Sequence, residues 1–103
     1  MLEARSVDIV MIDVLRSGGI TGWMKIAGMA EAFNVPVVNH LCPELSVHLV
    51  AAIPHGLTVE YMPWSGKMFE EVPFPVKGEL SVPTKPGHGL KFDKAALKRY
   101  GEA

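Results

Sequence analysis

The chain has one cysteine, no basic run and no long apolar stretch, and each shortage removes a class of protein. Cys42 alone cannot close an intrachain disulfide, so a reducing, cytoplasmic setting is expected. The N-terminus lacks the charged start, apolar core and small-residue cleavage site of a secretory signal. No apolar run approaches the roughly 18 residues that a membrane-spanning helix needs, and no membrane partner is expected. Lysine, arginine, aspartate and glutamate are scattered over a net charge of −1, which offers no electrostatic footprint for nucleic acid. A charged fraction of 20% against 49% hydrophobic residues excludes a disordered chain, which would be poorer in aliphatic and aromatic side chains. At 103 residues the chain amounts to one domain or less.

What is present is an alternation. Val7 to Val14 is apolar except for Asp8 and Asp13, the pattern of a parallel strand covered on both sides. Ser17-Gly18-Gly19 makes a turn, and Thr21 suits the cap of a helix in which Ile20, Trp23, Met24, Ala27, Ala30 and Phe33 recur at three- and four-residue spacing. Asn34 suits its C-terminal cap. A second unit runs from Val35 to His40, with Pro43 placed for the first turn of a helix that reaches about Ile53. Leu57 to Tyr61 reads as a third strand. Parallel strands need crossovers and helices make them, so residues 1–62 are expected to form an α/β piece of βαβαβ order. Residues 63–103 differ: Pro63, Pro73, Pro75, Pro83 and Pro86 predict an extended surface tail, with one short helix from Asp93, its N-cap, to Tyr100.

In a parallel α/β sheet the C-terminal strand ends share one edge, where functional groups collect. Asp13, His40 and Glu60 hold that position on three successive strands. A carboxylate bound to an imidazole fixes its tautomer and makes an acid/base that works near neutral pH. A further carboxyl group, if protonated, can donate to a substrate oxygen that gains negative charge. Each residue also has a plainer use: Asp13 as the cap of the next turn, His40 as a structural histidine, Glu60 as a rim ion pair. The shared address on three strand ends favours chemistry. Elsewhere, Gly18-Gly19-x-x-Gly22 lacks the P-loop lysine, His40-x-Cys42 with His48 matches no structural zinc spacing, and Cys42 has no neighbouring activator. His55 and His88 lie beside glycines and read as solvated.

The run from Asp13 through Gly18-Gly19-Ile-Thr-Gly-Trp23 resembles the segment after the sixth barrel strand of mandelate racemase-type enzymes of the enolase superfamily. Asn39-His40-Leu41, followed by Glu44, Ser46, His48-Leu49 and Ala51-Ala52, is similar to that family's seventh-strand segment, and Val59-Glu60 to its eighth. Pro86-Gly-His-Gly89, Asp93 and Tyr100 resemble its closing segment, so the likeness runs through nearly the whole chain.

The resemblance implies the C-terminal part of a (β/α)8 TIM-type barrel, in which Asp13 and His40 form an acid/base dyad and Glu60 is the electrophilic carboxylic acid. It implies abstraction of the α-proton from a small carboxylate or acid sugar, ending in dehydration or racemisation. The dyad argues against the muconate-lactonizing subgroup, which uses a lysine on the sixth strand. The complete enzyme would hold Mg²⁺ on carboxylates of the third to fifth strands and carry a Lys-x-Lys base on the second, all outside this chain. A full barrel takes roughly 250 residues, so the expected partner is the missing N-terminal part or further copies in a homo-oligomer. The alternative function is a non-catalytic remnant or oligomeric folding module.

Overall fold

A computed structural model describes residues 1–101. The order is β1 (Val10–Asp13), α1 (Gly19–Ala32), β2 (Val37–His40), α2 (Pro43–Ala51) and β3 (Gly56–Thr58), then a single 3-10 turn (Gly66–Met68) and α3 (Lys94–Tyr100). The strands are parallel in the order β1-β2-β3, with Asp13 level with His40. Between β2 and β3 the register slips, Val37 facing Gly56 but Val38 facing Thr58.

Side chains alternate between the two faces of a strand, and here the faces have different fates. Ile12, Val14 and Val37 are buried against Trp23, Ala27 and Ala30 of α1 and Leu49 and Val50 of α2, with Val10, Val35 and Val59 packed around them. Trp23 has no exposed surface, and its indole Nε1 donates to the Ile12 carbonyl at 3.2 Å. On the other face no helix lies over β1, and Ile9 and Met11 are exposed. The expected strand Val7–Val14, covered on both sides, is thus only four residues long and covered on one. The third strand is likewise shorter than Leu57–Tyr61, because the register slip carries the chain away from β2 after Thr58.

Local chemistry sets the ends of the helices. Gly18 and Gly19 have φ of 85° and 84°, so the turn into α1 rests on glycine rather than on a Thr21 cap. Gly22 is required by crowding, since a Cβ there would sit 1.7 Å from the Ser17 carbonyl oxygen. Phe33 is the C-cap of α1, and Asn34 one residue on takes the left-handed conformation at φ 56°. Pro43 opens α2, which stops at Ala51 rather than Ile53. Asp93 caps α3 by accepting from the Ala96 N–H at 2.7 Å.

The tail holds itself by Phe69 stacked on Phe92, an ion pair from Lys91 to Glu70 and another from Lys85 to Glu71, which holds the exposed Glu71 carboxyl below its ordinary range. It meets the α/β part where His48 Nε2 donates to the His88 carbonyl at 3.1 Å and where Ser65 donates to Glu44. Of the two turn histidines, His88 is exposed, whereas His55 is partly buried and donates from Nε2 to the Ala27 carbonyl at 2.9 Å. The last two residues of the 63–103 segment lie outside the described residues.

The radius of gyration is 15.0 Å, against about 13 Å for a compact domain of this length. Parallel sheets are normally covered on both faces, and unpaired strand edges with apolar flanks are templates for another chain. Sedimentation at micromolar concentration is therefore expected to find the chain self-associated or partly unfolded. A cooperatively melting monomer would show that one-sided cover suffices.

Candidate active site

Because Val10, Ile12 and Val14 of the first strand segment face the helices, Asp13 faces the other way, and the same alternation turns His40 to that side of β2. Asp13 is the last residue of its strand: its Oδ1 accepts from the Leu15 N–H at 2.8 Å and the Arg16 N–H at 3.3 Å, and its Oδ2 lies 3.5 Å from Arg16 Nε. The side chain keeps 10% of its exposure. Asp13 and His40 line one cleft of about 400 Å³ with Met11, Arg16 and Ser17. A larger concavity of about 500 Å³ is lined only by tail residues such as Val72, Phe74 and Leu90, and holds none of the three candidates.

The His40 ring is held by Glu60. Nδ1 lies 3.1 Å from Glu60 Oε2, and the same oxygen accepts from the Leu41 N–H at 2.7 Å. An amide N–H can only donate, so Oε2 acts as an acceptor, and a carboxylate there favours the tautomer with the proton on Nδ1. Nε2 makes no hydrogen bond among the described residues. The sequence placed Asp13 as partner of this ring; Asp13 is adjacent in register, but its carboxylate is taken up by its own turn, and the partner is Glu60.

The chain after His40 bends sharply, with Leu41 and Cys42 both left-handed at φ 54° and 46°. Such residues cost about 1–3 kcal/mol each and persist only where neighbours over-determine them. Here the Leu41 N–H is bound by Glu60, and the Leu41 carbonyl accepts from Asn39 Nδ2 at 2.9 Å and from Ser46 Oγ at 3.2 Å. Asn39 and Ser46 are fully buried and Glu44 nearly so. Burial, then the charges of Glu44 and Asp13, push the Cys42 thiol above its ordinary range, which disfavours the thiolate. Sequence reasoning missed Asn39 and the Ser65 to Glu44 contact. A polar residue inside an apolar strand was the available signal for the first, because buried amides need partners; nothing local pointed to the second.

Residues 1–96 match the model of the family described as "Enolase C-terminal domain-like". The chain belongs to that family. It is 33% identical to a D-xylonate dehydratase of Haloferax volcanii, over 97% of this chain and 26% of the relative. Its structure resembles an L-talarate dehydratase from Polaromonas sp. JS666 complexed with Mg and L-glucarate, with a TM-score of 0.88 and 37% identity over 94% of this chain and 27% of that one. A Bradyrhizobium enolase complexed with magnesium and mandelic acid matches with a TM-score of 0.88 and 31% identity over 96% and 27%. The chain thus spans about a quarter of the length of the relatives it matches. The mixed α/β fold with a parallel sheet is that of the C-terminal domain of these TIM-barrel enzymes.

Magnesium is bound in several of these relatives. Among the described residues of this chain no three His, Cys, Asp or Glu side chains are grouped to hold a metal. The donor set here does not fit the ion. No helix of the described residues is long and apolar enough to cross a membrane.

Proposed function

We propose that this chain carries the acid/base side of an enzyme that removes the α-proton of a small carboxylate, with an acid sugar as substrate and dehydration as outcome. The observation that carries the reading is the His40 imidazole at a strand end, held at Nδ1 by Glu60 and flanked by Asp13, with Nε2 unengaged. Nε2 would take the α-proton, the C–H pair passing into the substrate carboxyl group as an enediolate. Glu60 Oε1, without a partner among the described hydrogen bonds, would carry a proton and donate to a substrate oxygen while Oε2 goes on accepting from the ring and the Leu41 N–H. Asp13 adds negative charge beside the imidazolium that forms. Collapse of the enediolate with loss of the β-hydroxyl, protonated by the same imidazole, gives dehydration; protonation of the α-carbon on its opposite face, by an acid beyond the described residues, gives racemisation. The dehydratases among the relatives support the first outcome.

Mg²⁺ would supply charge stabilisation of the enediolate, an effect worth several kcal/mol in such sites. The remaining strands of the barrel, on another chain or another part of the protein, would supply it, and the 103 residues alone are expected to be inactive. The uncovered sheet face favours a second reading, an oligomeric folding module without catalysis. A chimera decides between them: residues 1–96 replace the corresponding segment of the Haloferax D-xylonate dehydratase, and loss of the α-proton of D-xylonate, by deuterium exchange or by dehydration to the 2-keto acid, is followed with Mg²⁺. Loss that stops on chelation supports the enzyme. A folded, magnesium-loaded chimera with neither exchange nor dehydration supports the module.

A further inference from the structure

We propose that Asn39 is a positioning residue for the acid/base histidine, its carboxamide standing in for a missing rung of the β2–β3 ladder so that Glu60 reaches His40. The proposal rests on the reading of His40 as the acid/base. Regular pairing of β3 ends at Thr58, and the slip after Val37 has already moved the two backbones out of step. Beyond that point the Glu60 backbone finds a side chain in place of a partner strand. Its N–H donates to Asn39 Oδ1 at 2.8 Å, and its carbonyl accepts from Asn39 Nδ2 at 3.2 Å. A primary amide has the donor and acceptor of a peptide group, which is what a ladder rung requires.

The second N–H of the same Nδ2 binds the Leu41 carbonyl at 2.9 Å. One fully buried side chain therefore clasps both segments that meet at the site: the Glu60 backbone, whose carboxylate holds His40 Nδ1, and the left-handed Leu41, whose N–H holds that carboxylate. Asn39 itself faces the helices, on the opposite side of β2 from His40. It acts through Glu60.

Asn39→Asp keeps the shape and one acceptor for the Glu60 N–H but turns both donors into an acceptor facing two carbonyls; Asn39→Ala removes all three bonds. In the chimera labelled with ¹⁵N-histidine and free of substrate, His40, identified by the signal that His40→Asn removes, is expected to be mainly the Nδ1–H tautomer, and in either variant that majority should be lost in favour of Nε2–H. A folded variant that keeps the wild-type tautomer overturns the proposal. Should neither variant fold, hydrogen exchange in the unmodified chimera tests it: the Glu60 N–H and the Asn39 side-chain amide should be as protected as the Val37 N–H, and exchange at the rate of exposed amides overturns it. No substrate enters these measurements, so a chimera without α-proton loss would sink the functional reading and leave this one standing.

Discussion

Replacing His40 by asparagine in the chimera is expected to lower the rate of α-proton loss from D-xylonate, by exchange or dehydration, by a factor of about 10²–10⁴, the usual contribution of a positioned acid/base, with thermal melting unchanged. The side chain is 36% exposed, so its truncation removes little buried apolar surface. What it removes is the one imidazole at the three strand ends, and neither carboxylate can take a proton from carbon with comparable ease at neutral pH. Asp13→Asn serves as a companion. It preserves an oxygen for the Leu15 and Arg16 N–H groups, hence the turn, while deleting the charge. If Asp13 acts only as the cap of that turn, Asp13→Asn leaves that rate close to the parent. A fall comparable to that of His40→Asn would show that its charge acts on the imidazole. An undiminished rate in folded His40→Asn would remove the histidine from the chemistry.

Trp23→Ala is expected to cost about 3–5 kcal/mol, the range for deleting a large buried aromatic, from a total that for small domains is about 5–15 kcal/mol. The indole is fully buried between α1 and β1 and its N–H donates to the Ile12 carbonyl, so the variant leaves a cavity and loses a buried hydrogen bond. A large fall of the urea midpoint of the chimera is the expected result. Trp23→Phe, which refills most of the volume but cannot donate, should lose about 1 kcal/mol. A midpoint for Trp23→Ala within error of the parent would mean that the α1–β1 layer is not the centre of the core.

Much of the fold was legible because parallel α/β units write themselves locally. The apolar runs at Val7–Val14 and Val35–Val38, the glycine pair at 18 and 19, Pro43 and Asp93 each name a strand, a turn, a helix start or a cap through the chemistry of one or two side chains. Strand ends were less legible. Val7–Val14 shrank to Val10–Asp13 because a strand lasts only as long as its neighbour's backbone, and Leu57–Tyr61 lost its second half to a slip in register. The reading of His55 as solvated failed for a related reason: its partner, the Ala27 carbonyl, lies on a helix well before it in the chain.

The three candidate residues were named by a rule about position, that strand ends share an edge, and such a rule says which residues come together without saying which atoms touch. The amino-acid order alone determined that Asp13 and His40 end successive strands, that Glu60 follows the third, and that Trp23, Ala27 and Ala30 form a stripe. Only the tertiary structure decided that Glu60, not Asp13, holds the imidazole, since the Leu41–Cys42 bend and the Asn39 carboxamide bring the third strand's carboxylate to Nδ1 while the first strand's is spent on its own turn. Periodicity is set by bonds along the chain and is therefore carried in the sequence. Hydrogen-bond partnership between residues some twenty positions apart depends on ångström-scale differences in register, which no local pattern encodes.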